Sequence, residues 1–358
     1  MSFDRVVLVA GTRPEFVKLH PVTLALSTAG MSALLVTTEQ HWSPSMKGTF
    51  LEELPWPCPV ESLGISSREP LALVSEIVRT LPSHLRASDL VLIEGDTTSV
   101  LAAAIVANKL ALPLAHVEAG LRSYDLRMPE EHNRRVCDHL ADLLFAPTEP
   151  DAQHLRDERC PGSVSVTGNT VLDAVRQNMP RARPAQDIGD DFVLVTLHRQ
   201  ENVDARPFLV EISEFLRCVE TRCVFPVHPR TVDKLKSHGL WDAIVGLRNV
   251  DVREPMGYLT FLDAMRRSRV IVTDSGGIQE ESTAPEIRRP TIVLRRSTER
   301  PAAVDAGFSM LAPVAAPTLV AAVKDLSWFR PAAISPFGDG HAADAIVNAL
   351  RLLALQKS

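Results

Sequence analysis

The stretch LVLIEGDTTSVLAAAIVANKLALPLAHVEAG, Leu90–Gly120, decides the fold class. Its two apolar runs, LVLIEGD and PLAHVEAG, are too short for helices and too uniformly apolar for half-exposed strands. Parallel strands buried on both faces fit that pattern. Between the runs, Thr98–Leu110 reads as a helix, so the whole is one strand–helix–strand unit. The same signature recurs on either side: VVLVAG from Val6, ALLVTT from Ala33, FVLVTLH from Phe192, CVFPVHP from Cys223, VIVTDSGG from Val270 and TIVLRRS from Thr291. A further helix is expected over Gln279–Ala284. Repeated βα units predict an α/β protein with doubly wound sheets.

A chain of 358 residues exceeds one ordinary core, so two domains are expected. The series of strands pauses at PRARPAQDIGDD, Pro180–Asp191, rich in proline and charge. Two Rossmann-like halves joined there would leave a cleft between them. With 45% hydrophobic and 23% charged residues the chain is globular, not disordered. A net charge of −6 supports neither nucleic-acid nor membrane-surface binding. The apolar run before Gly11 is too brief for a signal peptide, and no run of eighteen apolar residues could span a bilayer. Cys58, Cys137, Cys160, Cys218 and Cys223 are odd in number and lack C-x-x-C spacing. That argues for reduced thiols in a cytoplasm and against a zinc site or a disulfide framework.

In doubly wound sheets ligands bind beyond the carboxyl ends of the strands. Arg13, Asp96, Glu118, His198, His228 and Ser275 close or follow the apolar runs and would point toward the cleft. The first turn, AGTRPEFVKL, has one glycine and lacks the dinucleotide fingerprint. Arg13 and Lys18 read either as a diphosphate contact at a helix start or as surface charge. In TDSGGIQEES, Gly276 and Gly277 permit close backbone approach to a phosphate, Ser275 adds a hydroxyl, and Glu281 could accept from ribose hydroxyls. The plainer reading is a strand-to-helix turn. His198 and His228 have no His or Cys at metal-ligand spacing, which favours phosphate contact or general-acid work over metal binding. Carboxylates at buried strand ends, as at Asp96 and Glu118, are costly unless paired or functional. Glu130 follows Pro129 at a helix start, with Arg134 at i+4 expected to hold it. Glu131, Asp125 and Arg127 read as plain surface or helix-start charge.

GTRPEFVK, EGDTTS, HVEAGLRS with PEEHNRR, VTGNTVLD, LVTLHRQEN, PVHP, TDSGGIQEE and STERP occur in this order. Together they resemble the non-hydrolysing UDP-N-acetylglucosamine 2-epimerases, from about residue 6 to the SPFGDG stretch at Ser335. The resemblance implies two Rossmann-like domains in a GT-B arrangement, with the active site in the interdomain cleft. The N-terminal domain would be residues 1–175, completed by a returning helix over 341–358, and the UDP-binding domain 176–340. It implies interconversion of UDP-GlcNAc and UDP-ManNAc without an added cofactor, and a homodimer. Asp96, Glu118 and Glu130 match the family's catalytic carboxylates and His198 its functional histidine. Arg13, Lys18, His228, Ser275, Gly276 and Gly277 match the diphosphate surroundings, with Arg134 on the substrate side. Glu281 matches the ribose contact, Phe261 the uracil-side aromatic and Arg300 a cleft-lining arginine.

Departures from the pattern bear on substrate and regulation. The loop SYDLRM is two residues shorter than the common bacterial form, like the branch acting on UDP-2,3-diacetamido-glucuronic acid. Gln40, His41 and Arg68 match part of an allosteric UDP-GlcNAc site, but Ser43 stands where a second glutamine is usual. That departure argues against activation by substrate. The alternatives are a hydrolysing relative releasing ManNAc and UDP, a GT-B glycosyltransferase, and a non-catalytic nucleotide-sugar sensor. Hydrolysing relatives generally lack PEE-x-NRR and SGGIQEE, and a glycosyltransferase has no need of three carboxylates at one carbon.

Overall fold

Thirteen strands of the computed structural model form two all-parallel sheets, over described residues 3–38, 53–67, 69–185 and 187–355. The first sheet contains β1 (Arg5–Ala10), β2 (Ser32–Thr37), β3 (Val60–Ser62), β4 (Asp89–Glu94), β5 (Leu114–Val117), β6 (Leu143–Ala146) and β7 (Ser163–Val166). They lie in the order β3-β2-β1-β4-β5-β6-β7. The second contains β8 (Val193–Thr196), β9 (Cys223–Pro226), β10 (Val250–Arg253), β11 (Val270–Thr273), β12 (Thr291–Val293) and β13 (Ser309–Leu311), ordered β10-β9-β8-β11-β12-β13. Both orders reverse direction beside the first strand of the set, between β1 and β4 and between β8 and β11. In such sheets the crevice for a ligand opens at that reversal.

The apolar runs form these strands because helices cover both faces of each sheet. Val6–Ala10 and Leu90–Ile93 are fully buried. The helix between β4 and β5 spans Thr98–Lys109, with Thr97 capping it. The helix after β11 spans Gly276–Glu281, starting and ending earlier than its sequence suggested, because the glycines themselves begin it.

Two compact units result: residues 1–177 with 337–358, and residues 178–336. Each has its own apolar core, one around Val7, Val91, Ile93 and Leu144, the other around Val195, Phe215, Phe225 and Val272. In the first unit the helix Ala342–Leu355 packs on the helix Arg13–Thr28. Asp173 accepts hydrogen bonds from its first two backbone N–H groups, at 3.1 Å from Ala342 and 2.9 Å from Ala343. Burial pushes the Asp173 carboxyl up to about 6, against the pull of those donors.

Candidate functional site

In the first unit β4 and β5 pair with Glu94 opposite Val117, so the turns that follow them are neighbours. Asp96 stands on one turn and Glu118 on the other. Glu118 has φ +65, a left-handed conformation that a side chain other than glycine adopts only under tertiary constraint. That backbone is fixed on both sides: Val117 C=O accepts from Gly95 N–H, and Ala119 N–H donates to Phe145 C=O. The Glu118 carboxylate is buried against the Lys18 ammonium and accepts from Asn169 Nδ2 at 3.1 Å. Lys18 also lies 3.2 Å from Glu94. Lys18, expected with Arg13 beside a diphosphate, is buried and paired with these carboxylates. Arg13 opens the same helix and is partly exposed.

The turn after β5 is held from beneath by residues that escaped the sequence reading. His116, fully buried, bridges the Gly95 carbonyl and Asp138, both at 2.8 Å. Arg122 reaches Asp138 at 2.7 Å and Glu158 at 2.7 and 2.9 Å. At Gly120, with φ +87, a Cβ would lie 2.2 Å from the Asp151 carbonyl oxygen, so only glycine lets the turn pass.

On the helix Pro129–Leu140 the expected contacts of the two glutamates are corrected, and Glu131 is not surface charge. Arg134 does not hold Glu130. Its guanidinium bonds Asp96, at 3.1 Å through Nε and closer through Nη2, and reaches Glu131 at 2.7 Å. Glu131 is fully buried and accepts from Ser123 N–H and Oγ at 2.9 Å, Tyr124 N–H at 3.3 Å and Arg135 Nε at 3.1 Å. These bonds outweigh burial and hold its carboxyl below the usual range. Glu131 thus ties the Ser123–Met128 loop to the helix. Glu130 is exposed and engages no partner among the described residues. The reason is helical geometry: the face of Glu131 and Arg134 turns inward, and one residue of offset carries Glu130 out. Asp125 and Arg127 form the expected surface pair.

In the second unit β8 and β11 are register partners, Thr196 opposite Thr273, and the residues beyond them meet. His198 Nδ1 lies 3.2 Å from Asp274. Asp274 is fully buried and also accepts from the N–H groups of His198 and Arg199 and from Asn202 Nδ2, each at 3.1 Å. Burial alone would raise its carboxyl; His198 and Asn202 bring it below the usual value. The histidine is thus oriented by a carboxylate on the neighbouring strand. The rule that singled out Asp96, a polar residue closing an apolar run, applies equally to Asp274 in VIVTD.

Ser275 stands at the N-cap position of the helix opened by Gly276 and Gly277, and its hydroxyl makes no capping hydrogen bond. Arg300 packs so closely that a Cβ on Gly276 would lie 2.8 Å from its Nη1. Arg300 is held by Glu280 at 2.9 Å and Glu299 at 2.6 Å, while Arg199 at 3.0 Å and Arg295 at 2.6 Å also reach Glu299. Three guanidiniums thus gather near the helix start and, overriding burial, hold the Glu299 carboxyl well below the usual range. Glu281 is buried at the end of this short helix. His228 is exposed and its Nδ1 accepts from Arg230 N–H at 3.3 Å, capping the helix Pro229–Ser237. Phe261, half-buried on the helix Tyr258–Arg267, follows Thr260. Thr260 lines a cavity of about 530 Å³ with Arg183, Arg253, Glu254 and Met256. Gln40, His41 and Arg68 lie outside the described residues. Among the described residues His139, Glu158 and Cys160 come within 4.8 Å of one another, but Arg122 already occupies the Glu158 carboxylate.

The family model described as UDP-N-acetylglucosamine 2-epimerase matches residues 25–351. A UDP-N-acetylglucosamine 2-epimerase of Methanocaldococcus jannaschii is 38% identical, over 96% of this chain and 98% of the relative. The UDP-2,3-diacetamido-2,3-dideoxy-D-glucuronate 2-epimerase of Pseudomonas aeruginosa is 33% identical, over 89% and 91%. The crystal structure of the M. jannaschii enzyme in complex with UDP-GlcNAc and UDP superposes with a TM-score of 0.88 at 36% identity, covering 97% of this chain and 99% of that one.

Proposed function

The chain belongs to the UDP-N-acetylglucosamine 2-epimerase family, and on that premise we propose that it inverts C2 of UDP-GlcNAc to give UDP-ManNAc. The proton at C2 is not acidic, because no carbonyl adjoins that ring carbon. Departure of UDP from C1 builds positive character there and makes the C2 proton removable. Anti elimination gives 2-acetamidoglucal and UDP; UDP then returns to C1 as a proton arrives at C2 from the opposite face. Two faces require separate acid–base groups, each worth about 10²–10⁴ in rate. The observation that carries this reading is the gathering of Asp96 and Glu118 on adjacent strand ends, each held by its own cation.

Asp96, Glu118, Glu130 and His198 supply the acid–base chemistry. Arg13, Lys18, His228, Ser275, Gly276 and Gly277 form the diphosphate surroundings, Arg300 lines the site, Glu281 receives the ribose and Phe261 the uracil side. Arg134 acts by holding Asp96. The first unit, with its returning helix, supplies the carboxylates, and the second binds UDP. Five free cysteines support a cytoplasmic enzyme, and the family resemblance supports a homodimer. The described residues include no helix long and apolar enough to cross a membrane.

Incubation with UDP-GlcNAc in D2O is expected to place deuterium at C2 and to reach equilibrium with UDP-ManNAc. Recovery of substrate without exchange would overturn the assignment. The short Ser123–Met128 loop and the Pseudomonas relative favour a second reading, UDP-2,3-diacetamido-glucuronic acid as substrate. Turnover of that nucleotide alone would decide for it.

A further inference from the structure

Asp274 stands one residue beyond β11 and His198 two beyond β8, on strands paired in register. The Asp274 carboxylate is fully buried, and donors meet both of its oxygens. Oδ2 accepts from Arg199 N–H and from Asn202 Nδ2, each at 3.1 Å. Asn202 Nδ2 also faces the Leu294 carbonyl at 3.3 Å, which fixes that end of the amide as the donor. Oδ1 accepts from His198 N–H at 3.1 Å, and Nδ1 of the same histidine lies 3.2 Å from it. The Arg199 guanidinium turns away to Glu201 and Glu299. Among the described residues His198 is therefore the ionisable side chain that pairs with Asp274. Three fixed donors favour the ionised carboxylate, which accepts and cannot donate. The hydrogen between Asp274 and the ring then belongs to Nδ1. Burial would raise the Asp274 carboxyl, and His198 with Asn202 brings it below its usual range, in line with this geometry.

We propose that Asp274 is a positioning residue for the epimerisation: it keeps the ring proton of His198 on Nδ1, so that Nε2, bonded to no described residue, is the atom that exchanges a proton with the nucleotide sugar. The inference rests on the function proposed above. The proton that Nε2 gains is the one the nucleotide sugar loses, and the reverse reaction returns it. Asp274 accepts from Nδ1 in both states and supplies the counter-charge when the ring is an imidazolium. An asparagine at this position would replace one oxygen by an NH2. Placed at Oδ2, that group would oppose both Arg199 N–H and Asn202. Placed at Oδ1, it opposes the single N–H of His198 and donates to Nδ1. The second placement loses less, and it moves the ring proton to Nε2, as exchange of a partner carboxylate for an amide can do.

Asp274→Asn is the test. Nitrogen NMR of histidine-labelled protein, with the His198 signals identified by their loss in His198→Gln, reads which nitrogen of the neutral ring holds the proton. Wild type should show it on Nδ1. The Asp274→Asn protein should show it on Nε2, with kcat lowered by roughly 10²–10⁴. A wild-type proton on Nε2 would overturn the proposal, whether or not the variant folds. So would an Asp274→Asn protein whose ring proton has moved while its kcat is that of wild type. Asn202→Ala separates positioning from packing, because it removes one donor from Asp274 and leaves the contact with the ring. Its proton should stay on Nδ1 and its kcat should fall by less than about tenfold, the scale of one hydrogen bond. A loss as large as that of Asp274→Asn, with the proton unmoved, would reduce the cluster to a structural role and overturn the proposal. A wild type that turns over no nucleotide sugar, yet holds the proton on Nδ1, would sink the epimerase reading and leave the tautomer standing.

Discussion

Glu130 and Glu131 share a residue type and a helix start, yet their environments assign them opposite work. Glu131 is enclosed by two arginines and a loop backbone, and removing one partner from such a buried set leaves the others unpaired. Glu131→Ala should cost about 3–5 kcal/mol, read as a drop in Tm or in denaturant midpoint. Glu130, exposed and without a partner among the described residues, has nothing to lose in stability. Glu130→Gln should leave the unfolding free energy within about 0.5 kcal/mol of wild type while lowering kcat by roughly 10²–10⁴. A stable, fully active Glu130→Gln protein would remove Glu130 from the chemistry. Asp274 closes an apolar run as Asp96 does, and that signal could have found it. Its partner His198 comes from another element, and no local spacing announces that contact.

At the scale of elements, the carboxyl ends of β4 and β5 and of β8 and β11 do the arranging. Parallel pairing in fixed register brings consecutive turns side by side, so residues far apart in sequence become neighbours. The internal strands were readable because burial on both faces demands an unbroken apolar run. Edge strands β3, β10 and β13 were not, because one side lacks a partner and their sequences mix polar with apolar residues. The internal strand β6 was missed for another reason: LLFA runs almost directly on from a helix. Asp173 offers an element-scale test. It caps a helix that begins 169 residues later, and its carboxyl is raised to about 6. Folding therefore favours its protonated form, and stability from this group falls as pH rises from about 4 to about 6. Asp173→Asn should flatten that part of the Tm–pH curve. Asp173→Ala should cost about 1 kcal/mol as a lost cap. A wild-type curve already flat between these values would contradict the assignment.

At the scale of the molecule, two separate cores imply two sources of stability, and the chain joins its last helix to the first. Phe337, Ile346 and Leu350 are buried in the unit that contains Arg13–Thr28, not in the unit from which the chain has just come. Each such side chain is worth about 1.5–3 kcal/mol. Deleting residues 337–358 should therefore lower hydrogen-exchange protection in β1, β4 and β5 while leaving β8 and β11 protected. Equal loss in both units would show that their stabilities are not separable.

The sequence by itself determined the α/β class, most of the internal parallel strands and the charged residues that close them. Alternation of apolar runs with helices admits few other folds, and a charged residue closing a buried strand is costly without a purpose. Only the tertiary structure decided which glutamate of the Pro129 helix turns inward, that Lys18 serves carboxylates, and that Asp274 steadies His198. Each of these depends on which side chain from a distant element arrives within about 3 Å, where a charge-assisted hydrogen bond forms. Register and packing set that distance, and no single stretch of chain contains it.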